Sequence, residues 1–179
     1  MTSALQVAEF FLAKNDPSLG DRITPLKLQK LLYYAQGYAL ATLGRPLFDE
    51  IIKAWDLGPV CVSIYHRFKT AGNNPIDRVY KNSAEAAAAL KAARKPFSSE
   101  EMDLLENIFA CYGGYTAGAL SDMSHETAPW QDAFPDRVIG QKAMKKFFSD
   151  RLKGVKIEVL PLTHEEADEI AARHGVVMQ

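Results

Sequence analysis

Most windows of this chain repeat their apolar positions with the period of a helix, and only a few short runs alternate. Ser3 with Gln6 three residues later forms a capping box, and Leu5, Ala8 and Leu12, with Phe11 at the edge, mark one face of a first helix that Asn15-Asp16-Pro17 stops. Thr24 then offers an N-cap and Pro25 fits the first helical position, where its missing N–H costs nothing. From there Leu28, Leu31, Leu32 and Ala35 form a core-seeking stripe in a helix that runs to about Thr42. Lys27, Lys30 and Tyr34 share a second face of this helix, and Gln29, Tyr33 and Gln36 a third.

Gly44-Arg45-Pro46 reads as a turn. Ile51, Ile52 and Trp55 form a short strand broken by Gly58-Pro59, and a helix starts at or just after Pro59 with Val60, Ile64 and Phe68 on one face and Tyr65 alongside. Ile76 to Tyr80 is a second strand, expected to pair with residues 51 to 55. Asn82 and Glu85 cap an alanine-rich, peripheral helix over 83 to 95, and Ser98 or Ser99 caps the next, with Leu105, Ile108, Phe109 and Tyr112 facing the core. Gly113-Gly114 interrupts it, and Thr116 opens a further segment through Ser124. His125 to Pro135 reads as an ordered loop holding Trp130, followed by a helix over about 140 to 153, a strand over 155 to 160 and a short helix from Thr163 to about His174. The fold class is therefore mainly α, of the α+β kind: a single compact multi-helix domain with two or three short antiparallel strands. Residues 1 to 160 make the domain, and 161 to 179 are expected to pack on it as a C-terminal helix and tail.

Composition narrows the function. At 179 residues with 47% hydrophobic and 24% charged content, the chain has enough material for a proper core. A net charge of −1 argues against a nonspecific nucleic-acid binder. Cys61 and Cys111 lack metal-ligand or CxxC spacing and read as reduced, mostly buried thiols. No signal peptide or membrane-length apolar run is present, so a soluble, cytoplasmic protein is expected.

Candidate chemistry is sparse. Ser121 and His125 lie four apart, but neither serine-rich stretch forms a nucleophile elbow, and such residues commonly cap or tie down loops. His66, His125, His164 and His174 are scattered without metal-ligand spacing, and Gly113-Gly114 has neither the strand before it nor the Lys-Ser/Thr after it that a phosphate loop needs. No metal, cofactor or catalytic set is therefore assigned. Trp55 and Trp130 suit the core edge, yet Trp, Tyr and Arg are also the preferred anchors of protein interfaces. On that basis Lys27, Lys30, Tyr34, Arg45, Trp55, Tyr65, His125 and Trp130 are the candidate partner-binding residues.

Several segments carry a resemblance in a fixed order: Ile23-Thr24-Pro25-Leu26-Lys27-Leu28-Gln29-Lys30-Leu31-Leu32-Tyr33-Tyr34, then Gly44-Arg45-Pro46-Leu47-Phe48, then Ala54-Trp55-Asp56-Leu57-Gly58-Pro59-Val60 and Tyr65, then Leu120-Ser121 through Ser124-His125 to Pro129-Trp130. Together they resemble the Panacea domain, the antitoxin domain of SocA-like proteolytic adaptors and GepA-like element-associated proteins. The resemblance implies a non-catalytic protein that binds and neutralises a cognate toxin, with delivery of the toxin to the ClpXP protease as a narrower version. No cofactor is expected, and charge and hydropathy argue against membrane association and direct nucleic-acid contact. An uncharacterised hydrolase using Ser121, His125 or the acidic helix start at Glu100, Glu101 and Asp103, or a structural protein of a phage or plasmid element, stands as the alternative.

Overall fold

One helix, α2 (Pro25–Thr42), is wrapped by almost everything else. Around it the computed structural model places α1 (Ala4–Lys14), a hairpin of β1 (Ile52–Trp55) and β2 (Gly58–Cys61), α3 (Val62–Phe68) with a 3-10 turn at Lys69–Ala71, α4 (Ser83–Arg94), α5 (Ser99–Tyr112), α6 (Ala117–His125), α7 (Ala128–Ala133) and α8 (Gln141–Gly154). The structure describes residues 2–15, 22–76, 80 and 82–154. Among them the architecture is mainly α with one small antiparallel sheet, as expected.

Helix starts follow the predicted chemistry. Ser3 and Ser98 close full capping boxes with Gln6 and Glu101, and Thr24, Asn82 and Thr116 each accept a backbone N–H three residues on. The face of α1 differs from expectation. Ala4, Val7, Ala8, Phe10, Phe11 and Leu12 are buried, whereas Leu5 is 37% exposed. Large phenyl rings at 10 and 11 turn the helix so that Leu5 falls on the solvent side.

The larger correction concerns α2. Every residue from Lys27 to Gly37 is buried, so the helix has no solvent stripe along those turns. Helices α1, α5, α6, α8 and strand β2 all pack on it. The crossing with α8 is tight enough that a Cβ at Gly37 would lie 2.2 Å from the Phe148 ring. Tyr34 stacks on Tyr112 at 4.2 Å between ring centroids, and Phe148 meets Tyr33, Tyr34 and Tyr38 edge-on. Edge-to-face and offset contacts of this kind add to the burial of the rings themselves.

The sheet also differs from expectation. Gly58-Pro59 does not end the strand region but begins its second strand, because Gly58 adopts φ 100° and leads the chain out of the Asp56-Leu57 turn into antiparallel pairing. β1 therefore pairs with β2, Ile52 opposite Cys61 and Trp55 opposite Gly58, and α3 starts only at Val62. On its other edge β1 takes residues 136–139: Ile139 N–H donates to Ile52 O (2.8 Å), Ala54 N–H to Arg137 O (3.0 Å) and Asp136 N–H to Ala54 O (2.7 Å). Asp136 and Arg137 thus stand opposite the single residue Ala54, a bulge whose first residue, Asp136, has φ 55°. Of the expected strand at 76 to 80, Ile76 donates its N–H to Ile23 O (2.8 Å), and residues 77–79 lie outside the described residues. The stretch His125 to Pro135 contains a helical turn and a half, α7, with Pro129 near its start. The strand at 155 to 160 and the helix at 163 to 174 lie outside the described residues.

Candidate partner-binding site

The buried polar groups of α2 have a common task. Gln36 Oε1 accepts the N–H groups of Leu47 (2.9 Å) and Phe48 (3.2 Å), while its Nε2 donates to Phe48 O (2.8 Å). Gln29 Oε1 accepts Cys61 N–H (2.7 Å), and Lys30 Nζ donates to Pro59 O (3.2 Å). The glutamines and Lys30 therefore hold the backbone of the segments that cross over α2, which satisfies groups that would be costly to bury unpaired. Tyr33 extends the network: its hydroxyl bonds the Thr127 hydroxyl (2.8 Å), and Thr127 donates onward to Ser124 O (2.7 Å). Burial pushes the Tyr33 hydroxyl far above the ordinary tyrosine range.

From the other side, α6 and α7 grip the hairpin turn. Ser121 Oγ donates to Leu57 O (2.8 Å) and Trp130 Nε1–H to Trp55 O (3.1 Å). Three carbonyls of one tight hairpin, Trp55, Leu57 and Pro59, are thus each held by a side chain from a different helix. Gly58 sits at the centre of this clamp, and a Cβ there would lie 2.5 Å from Ser124 Oγ and 2.6 Å from Lys30 Nζ.

Lys30 is unusual within the clamp. It is fully buried, and among the described residues no carboxylate lies within ion-pair range of it. Desolvation pulls its ammonium down from the usual 10.5 to about 7.

The clamped hairpin forms one wall of a groove of about 460 Å³. Trp55 and Tyr65 line it, meeting edge-to-face at 4.8 Å. Pro25 and Leu26 from the start of α2, Leu57 at the hairpin tip and Pro135 complete the apolar lining, with Asp56 and Asp136 at the margins. Asp136 accepts Trp55 Nε1–H (2.9 Å) and pairs with Lys53 (3.3 Å), fixing the indole ring in its plane. Leu57 is 62% exposed, the most exposed large apolar side chain among the described residues.

The eight candidate residues fall in four places. Lys27, Lys30 and Tyr34 are 3%, 0% and 1% exposed, so they are internal and offer no surface to a partner in this conformation. Burial pushes the Tyr34 hydroxyl up to about 12. Arg45 lies away from the groove, in a separate cavity with Thr2, Gln6 and Pro96, where it pairs with Glu101 (2.8 Å). Partial burial raises the Glu101 carboxyl, but the Ser98 N–H and Arg45 outweigh that and hold it below the usual carboxylate range. Trp55 and Tyr65 meet in the groove. His125 and Trp130 stack at 4.2 Å behind the hairpin, and Trp130 reaches the groove only through the Trp55 carbonyl.

Leu57, Asp56, Pro135 and Asp136 were not among the expected residues. The signal for the first two was present, since an apolar residue at a turn tip beside a glycine has no core to enter. Asp136 gave none, because only the bulge brings residues 136–139 beside β1.

The Ser121 hydroxyl is turned toward Leu57 O, and His125 Nε2 is buried without a hydrogen-bond partner, so the two do not form an acid–base pair here. Cys61 is buried, and burial pushes its thiol up, whereas Cys111 is exposed rather than buried as expected. Among the described residues no helix is long and apolar enough to cross a membrane, and no group of three or more His, Cys, Asp or Glu side chains is placed to hold a metal ion.

Comparison with known proteins agrees with the ordered motifs. Residues 28–131 match the family described as Antitoxin SocA-like, Panacea domain. Antitoxin SocA of Caulobacter vibrioides (strain NA1000 / CB15N) is 29% identical over 143 residues, which cover 76% of this chain and 76% of that protein. No solved structure matches. The matched span runs from the first turn of α2 to α7 and so contains the whole clamp and the hairpin it holds; this chain belongs to the Panacea-domain family of SocA-like antitoxins.

Proposed function

We propose that this protein is a cytoplasmic antitoxin that binds a cognate toxin protein directly and catalyses nothing itself. The observation that carries the reading is the hairpin groove. Its apolar rim at Trp55, Leu57 and Tyr65 is open to solvent, while its backbone is held rigid from beneath by Lys30, Ser121 and Trp130. Open apolar surface on a rigid frame is what an interface anchor requires, because little order remains to be imposed on binding. A groove of about 460 Å³ takes one or two partner side chains, and the remaining contact would spread over neighbouring exposed side chains such as Phe134. Residues 1 to 160 act in this reading as one domain.

A narrower version adds delivery of the toxin to ClpXP. An adaptor of that kind needs a second surface for the unfoldase and acts by raising the local concentration of toxin at the protease.

Co-expression with the product of the neighbouring reading frame tests the main reading. Toxicity of that product alone, relieved by this chain, and co-purification of the two are the expected results. A harmless product that does not co-purify would end it. For the adaptor version, adding this chain to purified ClpXP should shorten the toxin's half-life, and an unchanged half-life would remove it.

A further inference from the structure

The groove also has a chemical preference. We propose that it takes a basic–apolar segment of the partner, an arginine or lysine next to an aliphatic side chain, as the anchor of the toxin interface; this rests on the antitoxin reading above. Among the described residues the lining contains two carboxylates, Asp56 and Asp136, and no lysine or arginine. Lys53 and the Trp55 indole already occupy Asp136. Asp56 is exposed at the hairpin tip and makes no hydrogen bond or ion pair with any described residue, so it is the free charge of the groove.

The aromatic wall points the same way. The Trp55 N–H is taken by Asp136, so the indole has its electron-rich face and no donor left for a ligand. Such a face attracts ammonium and guanidinium groups, and Tyr65 stands edge-on beside it. A guanidinium between this face and the Asp56 carboxylate would satisfy both, while Leu57 buries an adjacent aliphatic chain. An acidic segment would meet Asp56 as a like charge, which selects against it. The hairpin carbonyls are already bound from within, so the turn does not have to reorganise to receive the segment.

The test uses the uniformly 15N-labelled full chain and two blocked peptides, Arg-Leu-Leu-Arg and Glu-Leu-Leu-Glu, each acetylated and amidated. The chain has two tryptophans, so the Trp55 and Trp130 indole N–H resonances separate the groove from the site behind it. The basic peptide should shift the Trp55 resonance saturably, and the acidic peptide should bind at least about ten-fold more weakly. Asp56→Asn should weaken the basic peptide about five-fold, the scale of one exposed charge pair, with the amide spectrum otherwise unchanged. Equal binding of both peptides, unchanged affinity in Asp56→Asn, or shifts confined to Trp130 would overturn the proposal. Failure here with the neighbouring product still co-purifying removes the basic–apolar preference alone. Loss of co-purification with the peptide preference intact removes the antitoxin reading instead.

Discussion

Lys30 and Leu57 lie on opposite sides of the same hairpin, and each occupies the environment its side chain would be expected to avoid. The lysine is fully buried under the turn and the leucine is 62% exposed at its tip. On the inner side, polar groups from α2 and α6 hold carbonyls and N–H groups of the turn at hydrogen-bonding distance. On the outer side, Trp55, Leu57 and Tyr65 line an open groove that no described helix covers. The lesson is that polarity does not assign a residue to the surface when backbone groups inside the fold need partners. An apolar residue held at a turn tip has no route to the core.

Four variants break or sharpen that contrast. Leu31→Asp has the largest expected effect. Leu31 is fully buried in α2, and an unpaired carboxylate there should cost about 4 kcal/mol or more, abolishing the cooperative thermal transition. A normal melting curve would mean that α2 is not the centre of the fold. Gly58→Ala comes next. The added Cβ meets Ser124 Oγ and Lys30 Nζ, and φ 100° is unfavourable for any L side chain, so a loss of about 2–4 kcal/mol in urea unfolding is expected.

Lys30→Met tests the clamp through pH. The folded ammonium titrates near 7 and the unfolded one near 10.5, so between those values the unfolded chain binds one more proton than the folded chain. Stability attributable to Lys30 therefore rises with pH from about 7, by up to roughly 1.4 kcal/mol per pH unit. Below pH 7 its penalty is constant. Above about pH 10 the buried tyrosines Tyr33 and Tyr34 act in the opposite sense, because their raised values leave only the unfolded hydroxyls ionised. The urea midpoint of the wild type should climb relative to that of Lys30→Met between pH 7 and 9; parallel curves would place Lys30 in contact with water. Leu57→Ser should change stability least, within about 0.5 kcal/mol, since the side chain leaves a largely exposed site. Under the proposed reading, its effect would fall on partner capture. A large stability loss would show that the rim serves the core.

Legibility followed the range of the interactions. Thr24-Pro25 starting α2 and a capping serine, Ser98 or Ser99, starting α5 were evident because a cap involves residues close along the chain. The core side of α2 was evident at Leu28, Leu31 and Leu32 for the same local reason. The position of Lys30 was not, because the group that retains it, Pro59 O, is 29 residues away. The turn and a half of α7 was missed because two prolines near Trp130 suggested a loop, whereas one of them, Pro129, suits the start of a helix, where no N–H is needed.

The amino-acid order by itself determined a mainly helical body, the starts of α1, α2, α4, α5 and α6, and the family to which the chain belongs. Each of these depends on neighbours along the backbone or on an ordered set of short motifs. Tertiary structure alone decided which face of α2 is open, and its answer is that none is along Lys27 to Gly37. It also decided that Asp136 would reach Trp55 from 81 residues away and that the groove would form between them. Burial and long-range hydrogen bonding depend on which elements surround a residue, and that arrangement exists only once the chain has packed.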